Sequence, residues 1–412
     1  MRSPYFKDSF HFDLVAGISV AIVALPLALG FGITTGSGAA SGLATAIVAG
    51  FLAAVLGGSR YQVSGPTGAM TVVLVPIVAQ YGLSSLLYLG VAAGALIVLL
   101  GLLHLGRFVE RVPWMVMEGF TLGIAIIIAL QQLPLIFNVS KPHGSETLLV
   151  AFKTVQQAFS HDIAWSNISI AAATVLIKIT WTKFRHLNEV TAKIPGSAIA
   201  VISMSLLVHV LSIDVPSIGD IPNPFTTHIS FSWPGIPVSG FTYAAFSIAA
   251  LGAIESLLSA RVADSMAHRM YQTQDKHDPN RELIGQGIAT IGSALVGGLP
   301  ATGAIARTSV NVHAGARTKW SSAIHSIALL LMALVFGHIV GEIPVAVIAG
   351  VLVGTSLRIA NPTSVREYLQ TTNIERITYV ATAISVVAID LIWGTIIGIC
   401  VHELLRKYSK HE

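Results

Sequence analysis

Charge is what this sequence has least of. Only 11% of its 412 residues are Asp, Glu, Lys or Arg, against about 25% in a typical soluble chain. That scarcity excludes an ordinary water-facing surface. There is one cysteine, Cys400, inside an apolar run, so there is no disulfide framework and the redox compartment stays unread. The N-terminus, MRSPYFKDSFHFDL, lacks the basic-then-apolar-then-cleavage pattern, and no removable signal peptide is expected. The fourteen histidines are scattered without a close pair at ligand spacing, so no metal site and no cofactor are expected. No nucleophilic triad, lysine-bearing glycine loop or basic stripe occurs, which argues against an enzyme and against a nucleic-acid partner.

What is abundant is apolar surface. Hydrophobic residues make up 53% of the chain and the mean hydropathy is +0.74, which places it among polytopic membrane proteins with the lipid bilayer as solvent. Apolar runs predict fourteen spans, near 13–35, 40–57, 66–80, 84–105, 113–136, 167–183, 195–212, 241–262, 284–297, 301–314, 321–341, 343–359, 374–389 and 391–406. Lys and Arg gather in alternate loops: Arg2 and Lys7 before the first span, then Arg60, Arg107, Arg111, Lys183, Arg185, Lys193, Arg261, Arg269, Arg281, Arg317, Lys319, Arg358 and Arg366, and Lys410 at the end. The other loops are nearly empty of positive charge, except 137–166, where Lys141 and Lys153 mix with Glu146 and Asp162. Positive charge marks the cytoplasmic side. The expectation is therefore a multi-pass inner (plasma) membrane protein with both termini cytoplasmic.

Two passages nearly repeat. "LAAVLGG" (52–58) precedes Pro66-Thr67-Gly68-Ala69-Met70, and "GSALVGG" (292–298) precedes Pro300-Ala301-Thr302-Gly303-Ala304-Ile305. They open the third and tenth spans, both short. An offset of seven spans sets the copies in opposite orientations, as in inverted-repeat transporters. A helix that begins at mid-membrane presents free backbone N–H groups and a positive dipole end, which together form an anion site. Proline suits the first turn, and irregular backbone at this depth is tolerated only around a cavity. The alternative is that Gly and Ala here only permit tight helix packing.

The stretches "FDLVAGISVAIVALPLALGFGITTGSGAASGL", "GGSRYQVSGPTGAMTVV" and "NRELIGQGIATIGSALVGGLPATGAIARTSVNVHAGART" resemble the sulfate permease (SulP) family of anion transporters. The resemblance runs over nearly the whole chain. It implies an all-α fold of fourteen transmembrane segments in two inverted sevens, with segments 3 and 10 as half-helices, often as a homodimer. It further implies a core domain (about 10–110 and 240–342) and a gate domain (about 111–239 and 343–408). Family members usually carry a cytoplasmic STAS domain after the last span; none is expected within this sequence, which ends at LLRKYSKHE.

The expected anion site comprises Thr67, Gly68, Ala69, Met70, Thr302, Gly303, Ala304 and Ile305. Arg307, about two turns into the tenth span, would add a fixed positive charge unless it snorkels to the cytoplasm. Thr67 and Thr302 would offer hydroxyls to the anion or cap their helices. By resemblance, the first span breaks at Pro26, with Leu27 and Phe31 lining the pocket; plain core is the alternative for both. Glu255, mid-span with no basic neighbour in sequence, is the candidate proton carrier. The matching position in a sodium-coupled bicarbonate relative is a carboxylate that helps bind sodium, with a hydroxyl one turn on, here Ser259; glutamate leans the reading towards protons. Asp264, Asp275 and Asp278 read as solvated charge. The functional expectation is a proton-coupled symporter of a small anion: a C4-dicarboxylate, favoured slightly, or sulfate or bicarbonate. The alternatives are an uncoupled exchanger or channel, a sodium-coupled symporter, a nucleobase symporter of the same architecture, and a non-transporting motor.

Overall fold

A computed structural model describes residues 5–109, 112–140, 142, 146–160, 163–184, 195–219 and 232–408. Arg2, Arg111, Lys141, Asp162, Arg185, Lys193 and Lys410 of the charge pattern lie outside the described residues. The chain is mainly helical. Its first half contains α1 (Tyr5–Thr35), α2 (Ala39–Leu56), α3 (Gly68–Tyr81), α4 (Ser84–Leu102), α5 (Gly106–Val109), α6 (Trp114–Gln131), α7 (Leu133–Phe137), α8 (Thr147–Ser160), α9 (Trp165–Phe184) and α10 (Gly196–Val210). The second half contains α11 (Val238–Tyr271), α12 (Pro279–Leu295), α13 (Ile305–His313), α14 (Trp320–Gly341), α15 (Val345–Ala360), α16 (Pro362–Leu369), α17 (Asn373–Ala388) and α18 (Leu391–Tyr408). Among the described residues, seven helical stretches are long and apolar enough to cross a membrane, and α3 and α10 are shorter apolar helices.

Local chemistry sets many of the boundaries. Proline stands immediately before α6, α10, α11 and α15, where its fixed φ suits a helix entry. Asp278 caps α12 through its side chain, which accepts the N–H groups of Asn280 and Arg281. Gly82, at φ 76°, stops α3.

The expectation of an all-helical chain needs one correction. The two passages expected to open the half-helices are extended before their helices begin, and they pair as an antiparallel ladder: β1 (Ser64–Gly65) with β2 (Thr302–Gly303), in register Ser64 to Gly303 and Gly65 to Thr302. Both links are buried, and their backbone groups bond each other. The break expected at Pro26 is also absent: α1 runs unbroken through it, as transmembrane helices allow when neighbours cover the freed carbonyl. Loop 137–166, expected as a mixed-charge link, contains the helix α8.

Two groups of helices pack among themselves. In one, α12 lies against α2 and α4, α1 against α2 and α14, and α11 against α4. In the other, α17 lies against α6 and α18, and α15 against α6 and α9. Contacts of α3 with α6 and of α1 with α15 join the groups. The backbones of α4 and α12 approach closely where Gly94 faces Gly287: a β-carbon on Gly94 would lie 2.7 Å from the Gly287 carbonyl oxygen. Leu43, Leu74, Leu89, Ile97, Ile248 and Leu251 fill the interior.

Candidate functional site

The ladder brings the starts of α3 and α13 together from distant parts of the chain. Thr67 is the N-cap of α3, its Oγ1 accepting the Met70 N–H at 3.4 Å. The first-turn N–H groups of Gly68 and Ala69 have no intrahelical acceptor. On the opposite side the helix begins later than expected, at Ile305 after an Ala304 N-cap without side-chain capping. The expected donors Gly303 and Ala304 are already engaged: Gly303 N–H donates to Ser256 Oγ at 3.1 Å, and Ala304 N–H to the Val63 carbonyl at 2.9 Å. The first-turn donors of α13 are therefore those of Ile305, Ala306 and Arg307. Neither proline occupies the first turn; Pro66 and Pro300 stand in the extended links instead.

Arg307 lies in the first turn of α13 rather than two turns in, and it is 1% exposed. It does not snorkel. Its Nη2 donates to the Pro66 carbonyl at 3.0 Å, tying the second motif to the first. Its Nη1 has no hydrogen-bond partner among the described residues. The guanidinium lies over Gly65, where a β-carbon would collide with Nη1. His325 of α14, fully buried and not singled out in the sequence, is within electrostatic reach of Arg307.

Glu255 joins the two motifs. Its carboxylate accepts the Thr302 hydroxyl at 2.7 Å and the Thr67 hydroxyl at 2.9 Å, and the two threonine oxygens lie 3.2 Å apart. No cation among the described residues forms an ion pair with it. Ser259, one turn on, is fully buried and bonds the Thr308 hydroxyl at 3.1 Å; that oxygen also accepts the Val63 N–H.

The remaining expected residues are apolar and buried. Leu27 and Phe31 are 4% and 6% exposed on α1, within the main core cluster. Phe31 and Ile128 of α6 both pack on Gly68, so the start of α3 lies beneath one side chain from each helix group. The Met70 side chain is directed towards Gly252 of α11, beside Ile97, rather than towards α13. Among the described residues no three His, Cys, Asp or Glu side chains converge as metal ligands.

The acidic loop adds bonds to its expected charge. Asp264 accepts both the backbone N–H and the ring nitrogen of His277, Asp275 pairs with Arg60 at 2.6 Å, and Asp278 caps α12. Asp275 and Asp278 are exposed, as a solvated charge would be, while Asp264 is half-buried against His277. Behind the ladder lies a buried polar network that the sequence reading missed. Glu282 accepts the N–H groups of Gly58 and Ser59 and the Gln62 amide, while Gln286 accepts from Ser64 and donates to the Ala301 carbonyl.

These features coincide with a known family. The profile of the sulfate permease family matches residues 10–382. The chain belongs to that family. YvdB of Bacillus subtilis (strain 168) is 35% identical over 403 residues, covering 96% of this chain and 73% of that protein. The bicarbonate transporter BicA of Picosynechococcus sp. is 32% identical over 353 residues, covering 82% of this chain and 60% of BicA. Among solved structures, the transmembrane domain of a cyanobacterium bicarbonate transporter BicA superposes with a TM-score of 0.79 at 27% identity, covering 96% of this chain and 97% of that one. The chain is a multi-pass membrane anion transporter of this family.

Proposed function

We propose that this sulfate permease family member is a proton-coupled anion symporter, and not an enzyme, in which α3 and α13 hold the anion and Glu255 carries the proton. The carrying observation is that one carboxylate accepts a hydroxyl from each motif, at 2.7 and 2.9 Å. An ionised carboxylate is an acceptor only, and it holds both threonine O–H groups turned towards itself. Protonation makes it a donor as well, so at least one hydroxyl becomes free to turn towards an anion between the helix starts. Proton and anion would then load together. Arg307 Nη1, a buried donor lacking an acceptor among the described residues, and the first-turn N–H groups would complete the anion's coordination.

Moving the load requires one helix group to shift against the other. We assign the group of α1–α5 and α11–α14 as the core and the remaining helices as the gate, within fourteen segments arranged as two inverted sevens. The antiparallel pairing of the two motifs is what an inverted repeat would produce at its centre. By the charge pattern, the side bearing Arg60, Arg281 and Lys319 is cytoplasmic. The substrate is a small oxyanion. The BicA likeness favours bicarbonate and the family description favours sulfate, while the apolar Leu27 and Phe31 would suit the carbon chain of a C4-dicarboxylate. Sodium coupling through Ser259 is the second reading, but that hydroxyl already faces Thr308.

The test is uptake of labelled fumarate, sulfate and bicarbonate into proteoliposomes with and without an inward proton gradient, alongside Glu255→Gln. Accumulation of one anion driven by the gradient, and lost in the variant, is expected. Uptake indifferent to both would refute the coupling and leave a passive anion path.

A further inference from the structure

A cleft of about 620 Å³ opens at the basic end of the first helix group, between the end of α4 and the start of α12. His104, Arg107 and Arg281 line it, over a floor that includes Leu102 and Ile284. The first-turn N–H groups of Asn280 and Arg281 are bonded to Asp278, so the helix terminus supplies no free donor from these two. The positive charge of the cleft comes from side chains. Arg107 is exposed and pairs with no carboxylate among the described residues. Arg281 is exposed too, with one nitrogen, Nε, on the Leu56 carbonyl at 3.3 Å. Beside it Lys319 donates to the Val55 carbonyl at 2.8 Å, and its ammonium is held below the usual lysine range by burial and then by Arg281. Two guanidinium groups thus line the cleft, with Lys319 behind Arg281, and Asp278, the acid among the lining residues, caps α12 through its Oδ1.

The apolar side of the cleft distinguishes among oxyanions. Leu99, Leu102 and Leu103 on the end of α4 are 49%, 59% and 58% exposed, forming an open hydrocarbon strip that leads away from the basic residues. A soluble phosphate would use the cations and leave this strip bare. A phospholipid satisfies both: its phosphodiester meets Arg107 and Arg281, and its acyl chains follow the leucines into the bilayer.

We propose that this cleft is a binding site for one anionic phospholipid, headgroup on Arg107 and Arg281 and acyl chains along Leu99, Leu102 and Leu103. The site sits on α4 and α12, whose backbones meet at Gly94 and Gly287. A bound lipid would therefore load the helix group that carries the anion site. The inference rests on the proposed orientation only for assigning the lipid to the cytoplasmic leaflet.

The test needs no transport, so its failure is distinct from failure of the symport reading. The full chain in detergent is given phosphatidylglycerol and phosphatidylcholine of equal chain length, and retained lipid is read by native mass spectrometry. The wild type should keep phosphatidylglycerol preferentially. Arg107→Gln with Arg281→Gln should weaken that retention by about thirtyfold, on the scale expected for two basic side chains near an anionic surface. Leu102→Gln with Leu103→Gln should weaken both lipids. Arg107→Gln alone, at an exposed position, keeps the test decisive if the double variant does not fold. Undiminished phosphatidylglycerol retention in the arginine variants would overturn the proposal. Displacement of the lipid by inorganic phosphate at matched concentration would also overturn it, and would make the cleft a soluble-anion site.

Discussion

Arg307 occupies the space that a β-carbon on Gly65 would need. The two residues belong to different motifs, and the fit between them sets where the guanidinium lies, with Nη2 on Pro66 and Nη1 beside the ladder. Gly65→Ala should push the guanidinium out of place at an overpacking cost of about 1–3 kcal/mol. The expected result is a folded protein with transport strongly reduced. Thermal unfolding in detergent and proteoliposome uptake, measured on the same preparation, check it. Full activity would show that the guanidinium position is immaterial.

Removing the arginine separates its two roles. Arg307→Lys keeps a charge but cannot serve Pro66 and an anion with one planar fork. It should bind the anion more weakly while remaining folded. Arg307→Met should lose anion binding and leave the Pro66 carbonyl without its donor, a loss of about 1–3 kcal/mol. Isothermal titration with the transported anion, beside melting temperature, resolves the two variants.

The threonines test the link between anion and proton. Thr67→Val and Thr302→Val each remove one hydroxyl from the Glu255 carboxylate. Each should reduce gradient-driven accumulation more than exchange of labelled for unlabelled anion, because exchange needs no proton cycle. Thr67→Val also deletes the α3 cap and should cost about 1 kcal/mol more in stability than Thr302→Val. Equal loss of both transport modes in both variants would reduce the hydroxyls to anion ligands only.

Glu282 gives a prediction about folding rather than transport. Its buried carboxylate receives three donors, from Gly58, Ser59 and Gln62. Glu282→Ala leaves all three unsatisfied and should destabilise the protein by about 3 kcal/mol or more. Glu282→Gln retains acceptor capacity and should lose less. Comparing melting temperatures of the two variants reads the difference directly.

The motifs were legible because their composition is improbable in an apolar span: proline, glycine and threonine recur in the same order, and Arg307 follows one of them. The ladder between them was not legible, because two-residue strands have no periodicity to read. The start of α13 was misplaced for the same reason, and with it the donors: "ATGA" is equally compatible with an extended link and a first turn. Helix α8 was overlooked because Lys153 and the neighbouring acids suggested a loop, although Val150, Ala151, Thr154 and Ala158 fall on one buried face. Glu282 was not singled out because near Asp278 and Arg281 it resembles surface charge; its partners lie more than 200 residues away in the chain, where local pattern carries no information. Glu255 stood out for the opposite reason, as an isolated acid in a long apolar run.

The β1–β2 ladder has a consequence for how the protein is made. Thr67 and Thr302, which meet beside it, are 235 residues apart in the chain. At ribosomal rates of about 5–20 residues per second, roughly ten to fifty seconds pass between the emergence of the first motif and that of the second. During that interval the first motif is without β2, Thr302 and Arg307, its partners in the finished fold. The site can therefore close only after the second half has been translated.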